Sequence, residues 1–324
     1  MVSAQPASQA TLDARALRIV NELAALPQPD YGDAEAVRRH HAQVNRPLLW
    51  SNLPVGSIEH FRSHSRVPPL TIFRPVAEKT GQQARTFLFF HGGGWALGDF
   101  ATYEPLCRRL CNALKANIVY VDYRLAPEHA FPAALFDSES AARWLFANAF
   151  RLGVSPARIG VIGDGAGGNL AAVLALRNRR GALGGSFQSQ VLIYPHLDLS
   201  RVSSSERQRM VGDVLPNSLH AWYAENYLQG HSARDWRVSP LLSRNLDGVA
   251  PAVMVHAGFD PLLEEARLYV QRLRDVKVPV KEISFPDMLH GFINMGAVLD
   301  QAELAVLCIR AALHTLLANR LPVR

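Results

Sequence analysis

Gly163-Asp164-Gly165-Ala166-Gly167-Gly168 is the stretch that decides the fold, because it can be read in two ways. As G-x-G-x-x-G it is the turn that lays a dinucleotide pyrophosphate on a helix N-terminus. As G-x-S-x-G it is the strand-to-helix elbow that presents a nucleophile, matched at every position except the central one, where Gly165 stands in place of serine. The flanks suit both motifs: 158–162 is an apolar, β-prone run and 169–176 an apolar helical one. A dinucleotide fingerprint, however, opens its fold and is followed about 20 residues later by an acidic residue for the ribose. Here the motif falls at mid-chain, and no carboxylate follows it before Asp198. Position and spacing therefore favour the elbow.

An elbow of this kind needs a second source of backbone donors for a developing oxyanion, on the loop after an early strand. His91-Gly92-Gly93-Gly94 follows the apolar run 87–90. Consecutive glycines let bare N–H groups approach an oxyanion with no Cβ in the way. The acid and the base should then follow the elbow in that chain order. Asp260 lies in Gly258-Phe259-Asp260-Pro261-Leu262, just after the run 253–256, and His290 lies in Met288-Leu289-His290-Gly291-Phe292. Taken singly, an Asp-Pro pair is an ordinary turn or helix start and a loop histidine is usually inert. Their order, and their place beyond strand ends where ligands collect, single them out.

Around these motifs, short apolar runs at 70–73, 86–90, 118–122, 159–162, 190–194, 252–256 and 280–284 read as strands. Helical stretches at 103–115, 133–149, 168–180, 261–274 and 301–319 fall between or after them. This alternation predicts an α/β fold with a mostly parallel sheet covered on both faces. Helical stretches at 11–26, ended by Pro27 and Pro29, and at 33–44 precede the sheet. Residues 1–50 are thus expected to form a helical cap segment, 51–324 the core, and 203–230 an inserted second cap element. The 324 residues are 48% hydrophobic and 19% charged, which excludes wholesale disorder. The net charge of +6 comes from scattered arginines, so a solvated basic surface is expected rather than a nucleic-acid site. Cys107, Cys111 and Cys308 are too few and too ill-spaced for a disulfide framework and read as buried reduced thiols. No secretory signal opens the chain and no uninterrupted run of 18 apolar residues occurs, so a cytoplasmic protein with no membrane span is expected.

From about residue 70 to the C-terminus the chain resembles the hormone-sensitive lipase family of α/β-hydrolases, the bacterial carboxylesterase group. The resemblance is carried by His91-Gly92-Gly93-Gly94-Trp95, by Val121-Asp122-Tyr123-Arg124-Leu125-Ala126-Pro127-Glu128-His129 with Phe131-Pro132-Ala133-Ala134, and by the elbow. Tyr194-Pro195, Val238-Ser239-Pro240-Leu241, Asp260-Pro261-Leu262 and His290-Gly291-Phe292 extend it. It implies a carboxylic ester hydrolase in which Asp260 orients His290, His290 is general base and then acid, and the N–H groups of Gly93, Gly94 and Ala166 form the oxyanion hole, with Gly92 shaping the loop. It implies a small-molecule ester as substrate, no cofactor or metal, and a monomer or homodimer. Trp95, Trp222, Tyr223 and Phe292 are expected to line an apolar acyl or alcohol pocket.

Gly165 departs from that pattern, and without the serine no acyl-enzyme can form. The chain would then be an esterase whose serine was replaced or recently lost. Alternatively it is a natural pseudoenzyme or ligand-binding relative, or an eliminase or dehydratase driven by His290. The persistence of Asp260, His290 and three glycines favours the first.

Overall fold

The computed structural model describes residues 11–62, 67–76, 84–201 and 217–318. Among these described residues, eight strands form one sheet: β1 (Ser57–Phe61), β2 (Leu70–Arg74), β3 (Arg85–Phe90), β4 (Ala116–Val121), β5 (Ile159–Asp164), β6 (Gln190–Ile193), β7 (Ala252–Phe259) and β8 (Val280–Leu289). Their order is β1-β2-β4-β3-β5-β6-β7-β8. β1 and β2 run antiparallel to their neighbours, and every pair from β4 onward is parallel. This is the α/β-hydrolase fold. β1 is an unanticipated edge strand: Ser-Ile-Glu-His-Phe mixes polar and apolar residues and buries neither face cleanly.

The central strands read as continuous apolar runs because both of their faces are covered. In β3, Phe87 and Phe89 point into one core layer while Leu88 and Phe90 point into the other. Helices α4 (Ala133–Asn148), α5 (Gly165–Arg177) and α7 (Leu263–Asp275) cover the second layer. Helices α3 (Phe100–Leu114) and α8 (Asp300–Ala318) cover the first. By length and composition α8 could cross a membrane. Its Ala302, Ala305, Val306, Ile309 and Leu313 are instead buried in the core, which accounts for its apolarity.

The N-terminal helices form where the sequence places their caps. Asp13 accepts from the N–H groups of Arg15 and Ala16 and opens α1 (Ala14–Ala24). Asp33 does the same with Glu35 and Ala36 and opens α2 (Ala34–Asn45). Within 203–230, α6 (Asn217–Leu228) is helical, whereas the polar stretch 203–216 lies outside the described residues. Cys107 and Cys111 are free and buried, and Cys308 is free but only half-buried.

Candidate active site

The C-terminal ends of four parallel strands, β3, β5, β7 and β8, converge on one spot. Phe90 of β3 is level with Gly163 of β5, so the glycine loop after β3 runs beside the elbow after β5. The Gly92 N–H donates to Asp164 Oδ1 at 2.9 Å, and the Tyr103 hydroxyl donates to Asp164 Oδ2 at 3.2 Å. Gly165 has φ +49°, the left-handed conformation of an elbow, which glycine adopts without strain. It also begins α5, so the free N–H groups and positive dipole end of that helix face the site.

Asp260 and His290 meet through a slip in strand register. Ala257 of β7 pairs with Phe285 of β8, whereas Phe259 pairs with Leu289. Carried on without the irregularity, Asp260 would lie against Met288; with it, Asp260 lies against His290. The result is a 2.8 Å hydrogen bond between His290 Nδ1 and Asp260 Oδ2. Asp260 is 5% exposed and also accepts from the Leu262 N–H at 2.8 Å, which fixes its carboxylate. The opposite edge of the imidazole faces the elbow: Nε2 lies 3.4 Å from where a Gly165 Cβ would stand.

The electrostatics follow from this packing. Burial pulls the His290 pKa down, but the charge and hydrogen bond of Asp260, with Asp164 and Glu265 farther off, outweigh it and hold the ring above its ordinary value. Burial pushes the Asp164 carboxyl up to about 6, against the opposing pull of the Gly92 N–H, His290 and Tyr103. His91 is pushed down to about 4 by burial. Its ring stacks on Tyr123 at 4.3 Å and its Nδ1 sits 2.7 Å from the Gly92 carbonyl, so it braces the glycine loop as a neutral ring.

Above these groups lies a cavity of about 450 Å³, within the range of small-molecule sites. Its floor is Gly92, Gly93, Gly94, Asp164, Gly165, Ala166 and His290. Ile19, Val20 and Leu23 of α1, Val37 and Val44 of α2, and Leu219 and Tyr223 of α6 wall it with apolar surface, into which His40, His41, His196 and His220 also project.

A family model described as the alpha/beta hydrolase fold matches residues 87–294. Carboxylic ester hydrolase LipN of Mycobacterium tuberculosis is 37% identical over 72% of this chain and 65% of its own length. Ethyl acetate hydrolase of Pseudomonas putida is 32% identical over 76% of this chain and 78% of that protein. Among solved structures, an α/β-hydrolase from the metagenome of Lake Arreo, crystallised as a serine-to-alanine mutant, is 30% identical with a TM-score of 0.86, over 94% of this chain and 97% of that one. A Pyrobaculum calidifontis esterase is 32% identical with a TM-score of 0.82, over 94% and 98%. The chain belongs to the α/β-hydrolase family.

In this hydrolase the elbow, glycine loop, Asp260 and His290 are assembled in one place, and all but Asp260 line the cavity floor. The Gly92 N–H is committed to Asp164. Of the four aromatic residues expected to line the pocket, only Tyr223 does, its ring lying against Gly94. Trp95 is fully buried and stacked on Tyr227 at 4.2 Å. Phe292 is fully buried between Tyr194 and Phe285. Trp222 is turned away to donate from Nε1 to the Tyr31 carbonyl at 2.7 Å. An aromatic residue adjacent to a site motif can point into the core as readily as into the pocket.

Sequence reasoning misses two features. Asp164 is the polar hub under the site, although its elbow position gives it no assigned role. The aliphatic residues of α1 and α2 that wall the cavity read as ordinary amphipathic helix faces.

Proposed function

We propose that this site hydrolyses small carboxylic esters with short to medium acyl or aryl groups. In this reading Asp260 holds the tautomer and orientation of His290, and His290 Nε2 serves the nucleophile position at residue 165. The N–H groups of Gly93, Gly94 and Ala166 receive the oxyanion. The helices α1, α2 and α6 act as a cap whose apolar wall takes the non-reacting part of the ester.

The observation that carries this reading is the 2.8 Å Asp260–His290 bond, with Nε2 3.4 Å from the position of a residue 165 Cβ. The ester hydrolases and esterases among the relatives support the same chemistry. Gly165 withholds the attacking hydroxyl, and losing a nucleophile costs a serine protease about a million-fold in kcat.

Gly165→Ser is the decisive experiment. The variant is expected to hydrolyse short-chain p-nitrophenyl esters up to about a million-fold faster than the Gly165 protein. It should release an initial burst of p-nitrophenol and be labelled by an organophosphonate. A folded Gly165→Ser protein with no ester turnover would overturn the reading.

A further inference from the structure

The backbone at Gly165 is held at φ +49°, and outside its own chain neighbours and helix the atoms nearest to a Cβ built there are His290 Nε2 at 3.4 Å, His290 Cε1 at 3.7 Å and Gly92 Cα at 4.0 Å. Glycine therefore leaves that side of the elbow open to the cavity, between a base already oriented by Asp260 and the glycine loop. An oxygen about 2.8 Å from Nε2 makes an ordinary hydrogen bond to it. The His290 ring nitrogen on one side and the N-terminal N–H groups of α5 nearby give a water there polar partners.

We propose that the Gly165 protein is itself a single-displacement ester hydrolase, with water bound at the elbow as the attacking group. Compact nucleophiles of one or two heavy atoms, such as hydroxylamine, can take the place of that water. The proposal rests on the ester-site reading above and adds a second, small-nucleophile subsite to it.

The step balances without a covalent enzyme intermediate. Water loses a proton to His290 Nε2 as its oxygen bonds to the acyl carbon. The carbonyl electron pair moves to oxygen, where the N–H groups of Gly93, Gly94 and Ala166 hold it. Collapse breaks the bond to the alcohol oxygen, and the proton on Nε2 passes to that leaving oxygen. The products are acid and alcohol. With hydroxylamine the same sequence gives a hydroxamate in place of the acid.

The test uses the full Gly165 chain with p-nitrophenyl acetate. Turnover should exceed the roughly 10³–10⁴-fold acceleration over water that oxyanion donors and binding alone leave when a triad member is missing. It should show no burst and no phosphonate labelling, and hydroxylamine should divert product to acetohydroxamate in proportion to its concentration. His290→Ala should take away that excess and the diversion, leaving at most the residual acceleration from oxyanion donors and binding. Gly165→Ala places a methyl group 3.4 Å from Nε2 and should cost at least about tenfold. Because alanine at φ +49° is strained, its fold is checked by thermal melting, and hydroxylamine partition in the unaltered chain gives an independent answer. Turnover indifferent to His290→Ala, or a Gly165→Ala variant as fast as the Gly165 protein, would overturn the proposal. Activity of Gly165→Ser decides separately: if that variant works and the Gly165 protein does not, the ester site stands and the water subsite falls.

Discussion

The floor and the wall of the cavity are built on different principles. The floor is backbone: the glycine loop after β3, the elbow after β5 and the first turn of α5, with Asp260 and His290 brought together by register. The wall is side chain: aliphatic residues of α1, α2 and α6, held over the floor by a few polar ties. Backbone geometry demands particular residue types, whereas an apolar wall accepts any side chain of about the right size. Changes to the floor should therefore act on chemistry and changes to the wall on fit and stability.

The floor breaks most completely at His290. On the Gly165→Ser background, His290→Ala should lower kcat by about 10⁴–10⁶-fold with little effect on KM. The pH profile should carry the same signature. In the proposed reading His290 works as the neutral base, and its pKa is held above the ordinary value, so hydrolysis should decline as pH falls through that raised pKa. An acid limb below the ordinary histidine value would contradict this.

Gly94→Ala comes next. Its Cβ would run into the Tyr223 ring at the point where wall and floor meet, and the residue sits at φ +60°. With Gly94 as the oxyanion donor proposed above, displacing it should cost about 10²–10³-fold in kcat. If KM rises instead and kcat holds, Gly94 belongs to the wall rather than the floor.

Asp164 tests the floor through stability. Its folded pKa is raised from 3.8 to about 6, so this group favours folding fully below its unfolded value and loses that contribution as pH rises through about 6. A rise of that size corresponds to about 3 kcal/mol as an upper bound. Asp164→Asn keeps an acceptor for the Gly92 N–H and removes the titration. Its stability relative to the unaltered chain should improve as pH rises from about 4 to about 6 and level off above that in denaturant melts. A pH-independent difference would show that Asp164 is not buried as an acid.

The contrast also explains how much is legible without the fold. The elbow, the His91-Gly92-Gly93-Gly94 loop and the order of Asp260 and His290 can be read because each is required by backbone approach or chain direction. The slip between Ala257 and Phe259 that brings His290 opposite Asp260 leaves no mark in composition. β1 escapes recognition because its five residues alternate neither cleanly nor in one sense. Trp95, Trp222 and Phe292 mislead because proximity in sequence does not say which way a ring points.

The smallest effect, and the sharpest test of the wall, is Arg38→Ala. Arg38 sits on α2 and fans its guanidinium across three anchors: Nε donates to the Ala96 carbonyl at 2.9 Å, and an Nη donates to the Ala126 carbonyl at 2.8 Å. The two Nη groups grip Glu128 at 2.8 and 2.6 Å. The ion pair is half exposed on the Glu128 side and contributes little alone. The carbonyl bonds matter more, because they tie α2 to Ala96, just after the glycine loop, and to Ala126, beyond β4. Their loss should cost about 1–2 kcal/mol in a thermal or denaturant melt. On the Gly165→Ser background KM should rise a few-fold while kcat stays within about twofold, since nothing on the floor has moved. A large fall in kcat would mean that α2 positions the oxyanion loop as well as covering it.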